Sequence, residues 1–301
     1  FTTESVCMII NFNCTFCSAK GLNIPLHDHI PQVLKDFFLD YKPTNLIITG
    51  GDPLMNPRSY LEDVIEVMAT ISPDYHISLT SNMVLWDKDP EKYDYLFQNP
   101  HIGVITSFQY GGERKDTDDY SEQRFLEIFN KFYDRYGIKL PFIYVVNENN
   151  EQYVLKACEL AKRLGTTIKI NQQHPLGAST IFYPTYKILD LHIKAIEAGY
   201  EAQLNGLRDL RLGKCSFPIS SYFCNFNKVA YVDQNEELQV SVCEDRLTTH
   251  DFVEINNTSL FRKCYNCKMF SLCNGCSIHK HYTEPIKEEQ CQWMQENKSK
   301  L

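Results

Sequence analysis

Along the first 200 residues, short runs of β-branched and aliphatic side chains alternate with segments whose apolar positions recur every three or four residues. The strand candidates are "SVCMII" (5–10), "NLIIT" (45–49), "HISLT" (76–80), "IGVITS" (102–107), "PFIYVV" (141–146) and "TIKIN" (167–171). Between them "HIPQVLKDFFLDY", "SYLEDVIEVMATI", "SEQRFLEIFNKFYDRY" and "NEQYVLKACELAKRLG" carry amphipathic helical spacing, the last closed by Gly165. Six strand-then-helix units predict an α/β fold with a parallel sheet, left open or curled into a partial (β/α)6 barrel, and place the chemistry on loops at the carboxyl ends of the strands. Past residue 205 the segments shorten, helical periodicity fades and cysteines become dense. The pattern therefore divides the chain into an α/β unit, residues 1–204, and a small cysteine-rich unit, residues 205–301. No internal repeat beyond the βα alternation and no low-complexity tract interrupts this plan.

Composition narrows the classes. An apolar content of 43% over 301 residues supports one large core or two smaller ones. A formal charge of −8 disfavours a polyanion-binding surface, although Lys263, Lys268, His279, Lys280 and His281 make the C-terminal part locally basic, so nucleic acid is not expected as a partner. No run of eighteen or more uncharged apolar residues and no export signal is seen, so the expectation is a cytoplasmic protein with no membrane partner. The chain opens at Phe1, which leaves room for an upstream segment.

The 12 cysteines are too clustered to be core filler. Cys7, Cys14 and Cys17 fall in "CMIINFNCTFC", eight more lie between 215 and 291, and Cys158 stands alone in between. Cys158 shares a helical face with Val154 and Ala161, which marks it as a small core residue. Three thiolates at the end of a first strand can hold three irons of a [4Fe–4S] cluster and leave the fourth open; a zinc site or buried thiols are the alternatives. "TGGDPLMNP" (49–57) follows the second strand, where paired glycines let a ligand approach main-chain carbonyls and Asp52 offers a carboxylate to an ammonium group.

Together these two stretches resemble the radical S-adenosylmethionine (SAM) enzymes, which carry a C-x3-C-x2-C loop after the first strand and a GGE-type motif after the second. "ISLTSNMVLWD" resembles that family's third strand with its TNG-type end at Ser81, Asn82 and Met83. "ITSFQYGGERKDTDD" resembles the fourth-strand segment, with Ser107 at a cofactor-contacting position. "IKINQQHPLGAS" is similar to the sixth strand and its exit loop. The resemblance makes Gly50, Gly51, Asp52, Asn82 and Ser107 cofactor-binding residues. It departs at one place: aligned on "NFNCTFC", the first cysteine falls at Ile10, and Cys7 is the nearby substitute. Three residues span about 10 Å in an extended strand, so Cys7 reaches the same iron only if the chain bulges there; otherwise Cys7 is a core residue of the strand.

"CYNCKMFSLCNGC" (264–276) gives C-x2-C-x5-C-x2-C, with Cys291 beyond it and Cys215, Cys224 and Cys243 upstream; "CNFNKVAYVDQNEELQVSVC" reads as a hairpin with cysteines at its ends. Eight cysteines complete two four-ligand clusters, with zinc as the competitor. The arrangement resembles the SPASM extension of radical SAM enzymes, with Leu238 at the usual glycine and the final pair one residue closer. That resemblance implies Cys215, Cys224, Cys243 and Cys276 on one auxiliary cluster and Cys264, Cys267, Cys273 and Cys291 on the other. It further implies SAM as cofactor with three [4Fe–4S] clusters in all, a flavodoxin- or ferredoxin-like electron donor, and hydrogen abstraction from a peptide or protein substrate. Glu244 and Asp245, beside Cys243, are then the catalytic proton acceptors. Two other readings stand beside it: a radical SAM enzyme acting on a small metabolite, and a non-catalytic iron–sulfur or zinc scaffold.

Overall fold

The computed structural model describes residues 2–7, 11–17, 25–114, 120–173, 183–211, 227–233, 235–241 and 288–301. Six parallel strands form the body of one sheet: β1 (Thr2–Cys7), β2 (Asn45–Gly50), β3 (His76–Thr80), β4 (Ile102–Ser107), β5 (Phe142–Val146) and β6 (Ile168–Gln172). They are ordered β6-β5-β4-β3-β2-β1, so every crossover joins neighbours, as expected when each connection is a helix. The sheet then continues into a hairpin. β7 (Asn227–Val232) pairs parallel to β1, and β8 (Leu238–Ser241) pairs antiparallel to β7, as the "CNFNKVAYVDQNEELQVSVC" pattern predicted. Its turn is built on Asp233, whose carboxylate accepts from the main-chain N–H groups of Asn235 and Glu237 and from Gln239 Nε2.

Strands two to six fall within a residue of their predicted bounds. The described part of the first strand, Thr2–Cys7, begins three residues before its predicted start, and residues 8–10 of the predicted run lie outside the described residues. Register accounts for the early start, because Thr2 lies opposite both Asn45 and Asn227. Partner strands decide where a ladder begins.

The crossovers include α1 (Gln32–Tyr41), α2 (Arg58–Ile71), the short α3 (Val84–Lys88) and α4 (Asp94–Phe97), α5 (Glu122–Tyr136) and α6 (Val154–Leu164). Ser121 caps α5 by accepting from the Arg124 N–H, and the helix buries Phe125, Ile128, Phe129 and Phe132. Phe125 stacks on Phe108 at 4.8 Å and meets Phe142 edge-on at 5.4 Å, which locks α5 onto β4 and β5. Cys158 on α6 is wholly buried beside Val154 and Ala161, and burial pushes its thiol up to about 12. It is a packing residue, as its helical position predicted. After β6 come α7 (Thr185–Glu197) and α8 (Leu207–Arg211), and α9 (Glu288–Asn297) packs on α7 with Trp293 edge-on to Tyr186. No helix among the described residues is long and apolar enough to cross a membrane.

Alternation along the strands separates two faces of the sheet. Leu46, Ile48, Ile77, Leu79, Phe142 and Tyr144 are buried on one, whereas Ile47, Thr49, Ser78, Thr80, Ile143 and Val145 on the other are only half-buried. Fully covered parallel sheets bury both sets. Among the described residues the half-buried face is the more open of the two.

Met83 occupies the last position of the TNG-type end, and its φ is 65°, the left-handed conformation that glycine adopts readily. Its side chain is fully buried. Two effects oppose each other in Met83→Gly: relief of about 1–2 kcal/mol of backbone strain and loss of about 2–5 kcal/mol of buried side-chain packing. Packing wins. The variant is expected to unfold at lower denaturant, by a few kcal/mol at most, and an unfolding midpoint above the parent's would show that the backbone strain dominates.

Candidate functional site

Every described loop that the sequence marked as functional lies at the carboxyl edge of the sheet. Cys7 ends β1 directly opposite Gly50, which ends β2 with φ 103° and starts the "GGD" turn. Asp52 then caps the short helical turn Pro53–Met55, its Oδ1 accepting from the Leu54 N–H at 3.1 Å and from Ser81 Oγ at 2.8 Å. Its Oδ2 accepts from Asn11 Nδ2 at 3.2 Å. Asp52 is almost fully buried, and burial raises its carboxyl above the usual range against the pull of those donors.

Asn11 ties the cysteine loop to this edge. It exchanges hydrogen bonds with Asn82, whose Nδ2 donates to Asn11 Oδ1 at 2.6 Å, and Asn82 Oδ1 also receives the Val84 N–H that opens α3. Loops after β1, β2 and β3 are thereby joined through three polar side chains, with Tyr120 adding a bond from its hydroxyl to the Asn82 carbonyl. Phe12 is buried edge-on to the Tyr120 ring at 5.2 Å.

A second tie holds the other end of the cysteine loop. The Thr15 N–H donates to the Glu113 carbonyl at 3.2 Å. The Glu113 carboxylate receives two donors from beyond β5, Asn147 Nδ2 at 2.8 and 2.9 Å to its two oxygens and Asn150 Nδ2 at 2.9 Å, and one from Gln109 at 3.3 Å. Glu113 reaches this position because Gly111 and Gly112 take φ values of 101° and 70°, turning the chain back after β4. The loop carrying Cys14 and Cys17 is thus held from the β2–β3 side by Asn11 and from the β4–β5 side by Thr15.

Between the two ties, Cys14 is buried and Cys17 half-buried, neither in a disulfide, in one turn closed by the Cys17 N–H on the Cys14 carbonyl at 3.4 Å. Arg114 faces them. Its side chain is 8% exposed, its guanidinium lies 5.2 Å from the Phe16 ring centroid, and Nε has no hydrogen-bond partner. Burial pulls the guanidinium below its usual value, and the nearby Cys14, Tyr120 and Cys17 oppose that shift because their charged forms are negative. A buried cation without a carboxylate partner among the described residues is costly by itself. Two thiols of ligand spacing beside it form a donor set suited to an anionic iron–sulfur cluster, and that is the test such a cluster passes here.

Ser107 is buried at the end of β4, and Gly51 lies between Gly50 and Asp52 in the turn. The structure brings Gly50, Gly51, Asp52, Asn82 and Ser107 to the same edge as Cys7, Cys14 and Cys17. Cys291 lies on α9, half-buried. The other seven C-terminal cysteines, Cys215, Cys224, Cys243, Cys264, Cys267, Cys273 and Cys276, lie outside the described residues, as do Glu244 and Asp245. Sequence reasoning passed over Asn11, Glu113 and Arg114. The glycine pair before an adjacent acid and base in "GGER" was the available signal.

A sequence model of the Radical SAM superfamily matches residues 9–161. No curated protein matches the chain. Among solved structures, anSMEcpe with bound AdoMet is similar over 99% of this chain and 96% of its own, at 16% identity and a TM-score of 0.67. The same protein with AdoMet and the Kp18Cys peptide gives 18% identity, coverage of 98% and 95%, and a TM-score of 0.68. SuiB from Streptococcus suis is similar over 85% of this chain and 62% of its own, at 13% identity and a TM-score of 0.58. At these identities the likeness is one of fold.

Proposed function

The chain belongs to the radical SAM superfamily, and from that membership we propose an enzyme that modifies a peptide or protein substrate by hydrogen-atom abstraction. The observation that carries the reading is the two-cysteine turn held at the carboxyl edge between the "GGD" loop and the buried Arg114 guanidinium, whose Nε has no partner among the described residues. When bound, the [4Fe–4S] cluster supplies the electron that cleaves SAM to methionine and a 5′-deoxyadenosyl radical, which takes hydrogen from an unactivated carbon.

Cys7, Cys14 and Cys17 would hold such a cluster, and SAM would bind beside it. Gly50 and Gly51 carbonyls with Asp52 receive the methionyl ammonium, while Asn82 and Ser107 border the rest of SAM. The eight C-terminal cysteines hold two auxiliary clusters, a flavodoxin- or ferredoxin-like protein supplies electrons, and Glu244 or Asp245 takes the proton released as the substrate radical is oxidised. A peptide is the favoured substrate because a relative of the same fold has been solved with AdoMet and peptide together, and because the half-buried face of the sheet offers a surface for one.

Anaerobic reconstitution tests this reading. About twelve irons per chain, matched by sulfide, are expected from three four-iron clusters, with 5′-deoxyadenosine formed from SAM under a low-potential reductant. Stoichiometric zinc without sulfide would overturn it. With a converted peptide in hand, the single alanine variants of Glu244 and Asp245 are expected to separate: the one that removes the proton acceptor loses turnover but keeps its irons, and parent rates in both place the base elsewhere.

A further inference from the structure

Arg114 is the anomaly of the described site. Buried guanidinium groups are paired with carboxylates or held by several acceptors, because an isolated buried charge is costly. Arg114 is 8% exposed and among the described residues has neither: the neighbouring Glu113 carboxylate is taken up by Asn147, Asn150 and Gln109. Its guanidinium carbon lies 5.2 Å from the ring centroid of Phe16, a residue between Cys14 and Cys17, and among the described residues Cys14, Tyr120 and Cys17 are the anion-forming groups that act on it. The Thr15–Glu113 bond fixes the relation of the two segments through the main chain, so the guanidinium is placed by its neighbour in sequence.

We propose that Arg114 is the counter-charge of the iron–sulfur cluster held by Cys14 and Cys17, retaining the cluster and raising its reduction potential. The inference rests on the assignment of a cluster to these cysteines and goes beyond it by giving a role to a residue outside the ligand set. The reduced cluster carries one more negative charge than the oxidised one, so a fixed cation beside it favours reduction. Arg114 and Cys14 are both buried, so the interaction between them is screened less than it would be at the surface. The same charge opposes loss of the cluster, since its departure leaves Arg114 buried and unpaired.

The experiment compares the reconstituted full chain with its Arg114→Met and Arg114→Lys variants. Two quantities are read: release of iron to an excess of chelator over time, and the midpoint potential of the cluster whose electron paramagnetic resonance signal changes when SAM is added. That response separates it from the auxiliary clusters. Arg114→Met is expected to release that cluster faster and to lower its reduced-to-oxidised ratio at fixed potential about tenfold, or about 59 mV for a one-electron couple, while Arg114→Lys stays near the parent in potential. Should Arg114→Met fail to fold, Arg114→Gln removes the same charge with a polar side chain that the site can solvate, and its potential and iron release decide in its place. Parent-like potential and iron retention in Arg114→Met overturn the proposal, and combined with weakened SAM binding they reassign the guanidinium to the cosubstrate. A preparation that takes up no SAM-responsive cluster at all, even as the parent chain, sinks the cluster assignment itself and not only the role of Arg114.

Discussion

Cys7→Ala is expected to lose about four irons per chain and all SAM cleavage, while the C-terminal cysteines keep their metal. The reasoning begins with the family's three-residue spacing, which this chain breaks by placing isoleucine at position 10. An extended run from Cys7 to residue 10 would leave Cys7 about 10 Å from the place where a ligand is needed. The described ladder places Cys7 opposite Gly50, and residues 8–10 lie outside the described residues. Asn11, four residues on, bonds to Asp52 and Asn82, so the cysteine loop begins at the level of the "GGD" turn. Cys7 and the loop that carries Cys14 and Cys17 thus share one edge of the sheet.

Removal of one of three thiolates leaves an iron without a protein ligand, and a cluster held by Cys14 and Cys17 alone is open to loss. The complementary experiment adds Ile10→Cys to Cys7→Ala, which restores the family spacing. That double variant is expected to regain the cluster and cleavage. An iron count unchanged in Cys7→Ala assigns Cys7 to the core and sends the search for the third ligand elsewhere; loss in the single variant without recovery in the double one leaves Cys7 as the ligand and shows that position 10 faces away from the site.

Periodicity served best where the chain's own pattern is decisive. β4 was legible to the residue, Ile102–Ser107, because a short apolar run bounded by polar residues has few alternatives as a strand. The start of β1 was not, since it is set by Asn45 and Asn227, which lie far away in sequence. The site divides in the same way. Gly50, Gly51, Asp52, Cys14 and Cys17 announce themselves by residue type and spacing. Asn11 reads as a spacer within "NFNCTFC" and Glu113 as one charge among many in "GGERKDTDD", and only the fold, through Asn82 and Thr15, gives them a function. Side chains that hold loops together carry little local signature, because their partners are contributed by other strands.

Asp52 provides the other large effect, and its two possible substitutions report on different things. Its carboxylate joins Asn11, Leu54 and Ser81, so Asp52→Ala leaves several donors buried without acceptors, each costing about 1–3 kcal/mol. A folding defect in that variant says nothing about SAM. Asp52→Asn keeps the shape and an acceptor oxygen and removes only the charge. Burial raises the Asp52 carboxyl above its ordinary value, so the protonated form is the one that folding favours: its stabilisation is complete below the unfolded value of about 4 and is lost as pH rises through the folded value. Asp52→Asn escapes that loss. Relative to the parent, the SAM-free variant is therefore expected to gain stability as pH climbs from acid toward neutrality, as thermal unfolding across pH would register. Affinity should move the other way. If the ionised carboxylate meets the methionyl ammonium, the variant loses a charge-assisted bond of about 1.5–3 kcal/mol, roughly a tenfold to hundredfold weaker Kd for SAM with the irons retained. A variant more stable at neutral pH that binds SAM as tightly as the parent makes Asp52 a strut for the loops and leaves the ammonium to the carbonyls of Gly50 and Gly51.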